Sequence, residues 1–268
     1  MGDTHIQWTD KTWNCVRGCS KVSEGCRNCY AMTVAHRFSG PGLPYEGLAH
    51  KVNGNPEWTN LVRELPEKLG EPLAWRKPCR IFVNSMSDLF HEQVSVTFID
   101  QVWSVMARCP QHTFQILTKR PERMRYVVDH LLPCGILPNV WLGVSAEDQA
   151  TADERIPLLL QTPAAVRFVS AEPLLGPIHM RQFLADFELG RGEWGNLHWI
   201  IVGGESGPGA RRMDLEWVRC IVSDTHIGGV ACFVKQLGSF WARRHSGSLK
   251  GDWPQEWDAD LRIREFPV

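Results

Sequence analysis

The sequence lacks the features of an exported or membrane-spanning protein. No apolar run is long enough to cross a bilayer, and the first residues, MGDTHIQWTD, do not show the charged-then-apolar pattern of a secretion signal. The nine cysteines are an odd number, which argues against a fully paired disulfide framework. We therefore expect a cytoplasmic protein without membrane contact, whose cysteines remain thiols or bind a metal.

The sequence also lacks a strong excess of charge of either sign. A formal net charge of −1 over 268 residues does not mark a nucleic-acid binder, although it leaves room for a local basic groove. Hydrophobic residues make up 43% of the chain, so we expect a sizeable core. A chain of this length can form one large α/β domain or two small ones.

Four of the nine cysteines fall within residues 13–30, WNCVRGCSKVSEGCRNCY, which we call the cysteine loop. Cys19, Cys26 and Cys29 give a C-x6-C-x2-C pattern, and Cys15 adds a C-x3-C in front. Thiolates bind soft or borderline metals, and short spacings let one loop wrap an ion or a cluster. Three cysteines can hold three irons of a [4Fe–4S] cluster and leave the fourth iron open for a ligand.

A structural zinc site is the alternative for these thiols. Zinc would need a fourth ligand, supplied by Cys15 or by a histidine such as His36. The spacing alone does not decide between zinc and a cluster. Cys15 is interpreted as a small core residue. The remaining cysteines lie next to or inside apolar segments and are expected to be buried thiols: Cys79, Cys109, Cys134, Cys220 and Cys232.

Short apolar strands alternate with helical patterns along most of the chain. After an initial strand and a helix over 29–38, strands are predicted at 80–84, 114–118, 139–145, 166–170, 198–204 and 231–236. Helices are predicted at 95–108, 119–132, 146–161, 179–189 and 214–226, the last with Asp214 as its N-cap. Nearly continuous apolar strands are typical of a parallel sheet that is covered on both faces.

The alternation predicts an α/β fold, a partial (β/α) barrel with about six or seven parallel strands and an N-terminal cysteine loop. A doubly wound open sheet lacks support, because no G-x-G-x-x-G follows the first strand. The barrel is expected to span residues 1–240, and 241–268 to form a tail packed on it. Residues 39–78 are rich in glycine and proline and are predicted to be an insertion or lid, with one short helix.

Polar residues gather where the predicted strands end, which is the edge at which barrel enzymes build their sites. The candidate site residues at these ends are Ser85, Asp88, Lys119, Ser145, Glu147, Glu172, Gly203, Gly204 and Glu205. Helix capping is the alternative role for Ser145 and Glu147, and a strand-to-helix turn is the alternative for residues 203–205. The cysteine loop follows the first strand and is expected to open onto the same edge.

Two groups of basic residues and three aromatic residues are candidates for contacting a nucleic acid. The basic groups, which can contact phosphates, are Lys119, Arg120, Arg123 and Arg125 and, further along, Arg211 and Arg212. Solvated helix faces are the alternative, favoured for Arg123 and Arg125. Tyr45, Trp58 and Trp75 can stack on bases, or they can form a small core of the insertion.

The stretch IQWTDKTWNCVRGCSKVSEGCRNCYA is similar to the signature of a phage-associated three-cysteine-motif family. Further blocks resemble that family in its order: FVNSMSDLFHE, QILTKRPERM, VWLGVSAEDQ, RFVSAEPLLGPI, WIIVGGESGPGARRM and CFVKQLG. The family in turn resembles a distant branch of the radical S-adenosylmethionine (SAM) proteins, nearest to those like spore photoproduct lyase. The usual loop of those proteins is C-x3-C-x2-C, so the gap between Cys19 and Cys26 is longer here.

The resemblance implies a partial barrel that holds a [4Fe–4S] cluster through Cys19, Cys26 and Cys29, with SAM bound at the open iron. It implies an enzyme that cleaves SAM reductively and abstracts hydrogen from a substrate. A nucleic acid or nucleotide is the favoured substrate class, in DNA modification or repair, and flavodoxin or ferredoxin is a suitable electron donor. The strand-end residues would contact SAM.

All of the candidate SAM contacts except Lys119 and Glu172 have a specific expected role under this resemblance. Gly203 and Gly204 would let the backbone approach the methionyl group, while Glu205, or alternatively Ser85 and Asp88, would pair with its ammonium. Ser145 and Glu147 would bind the ribose. The alternative function is a non-catalytic, zinc-stapled nucleic-acid-binding or phage accessory protein.

Overall fold

The structure is a computed structural model that describes residues 4–130, 135–184 and 196–267. Its strands are β1 (Lys11–Trp13), β2 (Val16–Arg17), β3 (Ala49–Val52), β4 (Asn55–Trp58), β5 (Arg63–Glu64), β6 (Arg80–Val83), β7 (Thr113–Thr118), β8 (Val140–Ser145), β9 (Val166–Ala171), β10 (Trp199–Gly203) and β11 (Ala231–Gln236). Its α-helices are α1 (Tyr30–Arg37), α2 (Val96–Ala107), α3 (Pro121–His130), α4 (Gln149–Gln161), α5 (Leu215–Ile227) and α6 (Ser239–His245).

Seven strands form one sheet in the order β1-β6-β7-β8-β9-β10-β11. Strand β6 pairs in parallel with β1 and β7, and β10 pairs in parallel with β9 and β11. Helices α2 to α5 fall between successive strands along the chain, which is the strand order of a partial (β/α) barrel. The predicted fold class is therefore confirmed.

The strands form where the sequence runs are apolar and β-branched. Strand β10, WIIVG, is buried along its whole length, as expected of a strand with side chains packed on both faces. Parallel pairing requires a crossover connection between neighbouring strands, because a tight hairpin cannot join parallel neighbours. The apolar runs and the helices between them thus specify the same topology.

The chain divides into two compact units, and the division falls within β8. The first unit contains residues 1–142 and 163–165, and the second contains residues 143–162 and 166–268. The core of the first unit includes Trp13, whose ring centroid lies 5.8 Å from that of Phe114. The core of the second unit includes Trp199, whose ring centroid lies 5.8 Å from Phe168 and 6.1 Å from Phe233.

The helix starts follow from local capping. The Ser95 hydroxyl accepts a hydrogen bond from the backbone N–H of Phe98 at 3.1 Å and begins α2. Asp148 and Thr151 form a reciprocal capping box at the start of α4. The Asp214 carboxylate accepts from the N–H of Glu216 at 3.1 Å, so the predicted N-cap of α5 is confirmed.

The insertion differs from its prediction, because it contains strands and 3-10 turns in place of the expected short helix. Strands β3 and β4 form an antiparallel hairpin whose turn is made by Asn53 and Gly54, with φ of 49° and 81°. Asn-Gly favours this left-handed turn and is a strong local hairpin signal. Strand β5 pairs with β2, which ties the insertion to the cysteine loop.

Two further segments differ from the sequence-based prediction, and part of a third is not described. Helix α6, Ser239–His245, crosses the predicted boundary between the barrel and the tail at residue 240. The helix predicted at 179–189 is a 3-10 helix over Met180–Phe183, and residues 185–189 lie outside the described residues. Residues 131 and 132, at the end of the predicted helix 119–132, also lie outside them. Over the described ranges, no helix has both the length and the apolar character needed to cross a membrane.

Candidate metal centre

The cysteine loop leaves the end of β1 and leads directly into α1. A 3-10 helix over Glu24–Cys26 makes its central turn, and the N–H of Cys29 donates to the carbonyl of Cys26 at 3.3 Å. Cys29 is the N-cap residue of α1. This backbone hydrogen bond and the 3-10 turn before it keep Cys26 and Cys29 close together.

Gly18 fixes the point where the loop passes the insertion. Its φ is +87°, a conformation that L side chains rarely adopt. A Cβ at this position would lie 2.1 Å from the carbonyl oxygen of Leu61. The residue directly before Cys19 must therefore be glycine for the loop to run where it does.

Cys19, Cys26 and Cys29 are free thiols, and all three are partly buried. Burial, with a smaller contribution from the Asp88 charge, raises the pKa of the Cys19 thiol to about 12, and the Arg120 charge opposes the rise. Burial likewise raises the pKa of Cys29, with an added contribution from Cys26. Cys29 and Cys26, in their thiolate forms, also contribute to the raised pKa of Cys19.

Cys15 has a different environment from these three. Its side chain is fully buried, and its Sγ donates to the Oδ1 of Asn84 at 3.6 Å. Burial raises the pKa of Cys15 to about 12. Asn84 itself adopts a φ of 59° at the end of β6, and its Oδ1 also accepts from the N–H of Val16 at 3.1 Å. Cys15 is thus part of the core beneath the loop, as the sequence predicts.

Cys19, Cys26 and Cys29 are the type of ligand that binds a metal or cluster as thiolates, although their sulfur atoms are not positioned to coordinate one ion. Within residues 4–130, 135–184 and 196–267, no group of three or more histidine, cysteine, aspartate or glutamate side chains is placed to hold a metal ion. Three free thiols on one glycine-constrained loop are nevertheless the ligand type that iron–sulfur clusters require. Binding would deprotonate thiols whose pKa is raised, so it would release protons.

The strand-end candidates of the first unit surround this loop. The Ser85 hydroxyl donates to the Oδ1 of Asn14 at 3.2 Å, and the backbone carbonyl of Ser85 accepts from the hydroxyl of Tyr30. The carboxylate of Asp88 accepts from the N–H of Lys119 at 3.2 Å. The charge of Lys119 also acts to lower the pKa of Cys29. These three candidates therefore lie in one neighbourhood with the cysteines.

Glu147 and Ser145 occupy a buried position in the second unit. The Arg155 guanidinium lies 3.2 Å from the Glu147 carboxylate, and the two side chains are 2% and 1% exposed, respectively. The same guanidinium donates to the backbone carbonyl of Ser145 at 2.9 Å. The start of α4 is capped by Asp148, so neither predicted residue serves the capping role that the sequence left open.

The Gly-Gly-Glu turn after β10 is used for internal packing. A Cβ on Gly203 would lie 3.1 Å from the Glu172 carboxylate, and a Cβ on Gly204 would lie 2.6 Å from the carbonyl oxygen of Leu237. The Glu205 carboxylate accepts from the N–H and the Nε of Arg211 at 2.9 Å and 3.0 Å. Gly204 is therefore required by the protein's own backbone contacts, and a side chain at residue 203 would displace the Glu172 carboxylate.

Most of the basic side chains proposed to meet phosphates bind protein acceptors. Arg120 pairs with Asp88, Arg123 donates to the carbonyls of His91 and Val94, and Arg211 pairs with Glu205. Arg212 is 71% exposed and lies 3.7 Å from Asp214. The described contacts thus give a phosphate-binding groove little support.

The aromatic residues of the insertion form part of a small core. Tyr45 and Trp58 are buried in a cluster with the α1 residues Ala31, Met32 and Ala35. Cys19, Cys29 and Met86 pack against this cluster. The core interpretation is therefore correct for Tyr45 and Trp58, and the insertion supports the cysteine loop from this side.

The remaining cysteines follow their prediction with one exception. Cys109 and Cys232 are buried and Cys79 is partly buried, whereas Cys220 is exposed. The expectation for Cys220 was wrong because it lies on the solvent-facing side of α5, and adjacency to apolar residues does not specify a helix face. Cys134 lies outside the described residues.

Sequence reasoning missed three polar residues in or beside the loop. Ser20, His91 and Glu92 all contact Arg120 or one another. A partial signal was present for His91 and Glu92, because they follow the strand-end candidates Ser85 and Asp88 in the same connection, although the buried Leu89 and Phe90 interrupt this run. The run did not indicate which residues on other elements its members would meet.

Comparison with known families gives one match. The family model described as "Protein of unknown function (DUF5131)" matches residues 3–264. Comparisons with curated proteins and with solved structures found no match.

Proposed function

The chain belongs to the DUF5131 family, and we propose that it is a radical SAM-type enzyme. Cys19, Cys26 and Cys29 would hold a [4Fe–4S] cluster. When bound, the cluster and SAM supply one-electron chemistry in which SAM is cleaved reductively and hydrogen is abstracted from a substrate. The single observation that carries the proposal is the set of three free, partly buried thiols on one loop whose course is fixed by Gly18.

The residues around the cysteine loop support this proposal because they position the thiols, shield them from water and favour their thiolate form. Gly18 sets the course of the backbone before Cys19, and α1 starts at Cys29. The buried residues of α1 and the insertion cover one side of the loop, which limits the access of water. Lys119 contributes a positive charge near Cys29, which favours the thiolate form that binds metal.

The candidate SAM contacts remain proposals of unequal support. Ser85 and Lys119 lie beside the cysteine loop, so they are the first residues to substitute. Asp88, Glu147, Glu172 and Glu205 each have a cationic partner within the protein, so any role with SAM would be shared with those partners. Gly203, Gly204 and Ser145 are proposed only on the resemblance.

The substrate class and the electron donor are proposed on the resemblance as well. We propose a nucleic acid or nucleotide as substrate, a flavodoxin or ferredoxin as donor, and the reducing cytoplasm as the location. Among the candidate basic residues we propose Arg212 as a phosphate contact, because its side chain is 71% exposed.

A SAM-cleavage assay tests the proposal. Oxygen-free protein reconstituted with iron and sulfide, and reduced with dithionite, should form 5′-deoxyadenosine and methionine from SAM. Cys19→Ala, Cys26→Ala and Cys29→Ala should each abolish product, while Cys220→Ala, which removes an exposed thiol elsewhere, should not. Product formation that is unchanged in the three loop variants would refute the assignment of the ligands.

A further inference from the structure

Arg120 is a buried arginine that joins the cysteine loop to residues following β6 and β7. Its side chain is 5% exposed, and its Nη1 lies 3.1 Å from the Oδ2 of Asp88, which is 7% exposed. Its Nη2 donates to the hydroxyl of Ser20 at 2.7 Å and to the carbonyl of Ser20 at 3.3 Å. Its Nε donates to Glu92 at 2.9 Å. One guanidinium thus contacts two segments that are far apart in sequence, the cysteine loop and the residues after β6.

Asp88 is held firmly on its own side of this pair. Its two oxygens accept from the hydroxyl of Thr118 at 2.8 Å and 2.9 Å. The N–H groups of Phe90 and Lys119 donate to it at 3.0 Å and 3.2 Å. A carboxylate with this many donors cannot turn away from Arg120 without leaving several buried groups unpaired. Asp88 therefore provides a fixed anchor for the guanidinium.

Ser20 is fixed from a second direction by His91. The Nδ1 of His91 accepts from the N–H of Gln93 at 3.2 Å, which places the ring proton on Nε2. That Nε2 lies 2.9 Å from the Ser20 hydroxyl and donates to it. The hydroxyl oxygen therefore accepts from both His91 and Arg120, which uses its two acceptor positions.

We propose that Arg120, anchored by Asp88, is the positioning residue that fixes the loop backbone at Ser20 and thereby the position of Cys19. That this positioning serves to hold Cys19 for cluster binding rests on the proposed function. The contacts of Arg120 and the test of its positioning role do not depend on it. The resemblance pointed to Asp88 as a contact for SAM, and the geometry assigns it a role within the protein. Arg120, previously a candidate phosphate contact, acts on the loop instead.

Arginine is the residue type that this role requires. A planar guanidinium can donate to a carboxylate on one edge and to a hydroxyl and a carbonyl on another, in one rigid arrangement. Lysine keeps the charge but has a single nitrogen, so it cannot reach both Asp88 and Ser20 with the same geometry. The proposal therefore predicts that Arg120→Lys is not a conservative substitution.

Hydrogen exchange on metal-free, full-length protein tests the positioning directly. Arg120→Met should raise the exchange rate of the amides of residues 19–29 about tenfold, the factor expected from one lost charge-assisted hydrogen bond. Arg123→Met is the matched control, because Arg123 lies three residues further along, in the first turn of α3, and donates to the carbonyls of His91 and Val94 without any described contact to the cysteine loop. The control should leave the exchange rates of 19–29 unchanged.

A cobalt titration gives a spectroscopic readout that general destabilisation would not mimic. With Co2+ as the probe, the thiolate-to-cobalt absorption band should require about tenfold more metal in Arg120→Met than in wild type. Arg120→Lys should fall between them, and Arg123→Met should match wild type. Ser20→Ala is the substitute variant if Arg120→Met does not fold. It removes the acceptor hydroxyl but keeps the Asp88–Arg120 pair, and it should shift hydrogen exchange and cobalt binding in the same directions as Arg120→Met.

The proposal is overturned if Arg120→Met and Arg123→Met change the exchange of residues 19–29 equally, or if neither they nor Ser20→Ala changes it. Its failure is distinct from failure of the proposed function. If the loop loosens in Arg120→Met but wild-type protein assembles no iron–sulfur cluster, the positioning role stands and the enzyme assignment falls. If wild type assembles the cluster while loop exchange in the variants does not respond, only the positioning role falls.

Discussion

Lys235 Nζ lies 2.7 Å from Oε1 and 2.8 Å from Oε2 of Glu172, with the two side chains 20% and 17% exposed. The Nε2 of Gln236 donates to the same carboxylate at 2.9 Å. A Cβ on Gly203 would lie 3.1 Å from this carboxylate, which would have to shift to admit a side chain there. Residues at the ends of β9, β10 and β11 therefore meet at one carboxylate in the second unit.

Neutralising this carboxylate should destabilise the second unit. Glu172→Gln leaves the Lys235 ammonium without a charged partner, and we expect the free energy of unfolding to fall by about 1–2 kcal/mol. Urea denaturation of Glu172→Gln, Lys235→Met and the double variant measures the coupling between the two residues. Effects that add within about 0.3 kcal/mol would contradict a direct interaction.

Gly204 should tolerate no side chain. A Cβ would lie 2.6 Å from the carbonyl oxygen of Leu237, a backbone atom that cannot move alone. We expect Gly204→Ala to lower the free energy of unfolding by about 1–3 kcal/mol. Gly70→Ala is the control, because a Cβ there meets no heavy atom within 4 Å, and its effect should stay within about 0.5 kcal/mol. Equal effects of the two substitutions would show that the close approach is absent.

Cys15 should be dispensable for metal binding. Its side chain is fully buried and bonded to Asn84, so Cys15→Ala should cost about 1 kcal/mol of stability through lost packing. The iron content of the reconstituted variant should equal that of wild type. Loss of bound metal in Cys15→Ala would instead identify Cys15 as a ligand and favour the zinc-stapled alternative.

His198 should make the second unit less stable in acid. Burial, and then the charge of Arg167, lower the pKa of His198 below 6.5 in the folded protein. Because the unfolded chain binds this proton more readily, the contribution is fully present above pH 6.5 and is lost as the pH falls through the folded pKa.

Urea denaturation from roughly pH 7 to pH 5 measures this effect. His198→Asn should show a shallower loss of unfolding free energy than wild type over that range. His130→Asn, at the exposed end of α3, serves as the control and should follow wild type. An unchanged slope in His198→Asn would rule out the contribution.

The strands and helix starts were predictable because their signals are local. Near-continuous apolar runs such as 199–203 specify buried parallel strands, and Asp214 is a cap that the sequence shows directly. The β3–β4 hairpin was missed because its strands are short and mostly exposed, although Asn53 and Gly54 carried the signal.

The contacts around the cysteine loop were not predictable in the same way. The cysteine spacing indicates a metal-binding loop, but Arg120 and Ser20 are separated by 100 positions and Arg120 and Asp88 by 32. Periodicity and composition carry no information on such pairs, because they depend on how strand ends meet in the folded chain. Arg120 in sequence therefore looked like a candidate phosphate contact.

The metal and sulfide content of oxygen-free protein tests the central claim most directly. After reconstitution, the account predicts about four iron and four acid-labile sulfide per chain, lost in Cys19→Ser, Cys26→Ser or Cys29→Ser and retained in Cys15→Ala. One tightly held zinc without sulfide, released when Cys15 is replaced, would contradict the account and identify the loop as a structural staple.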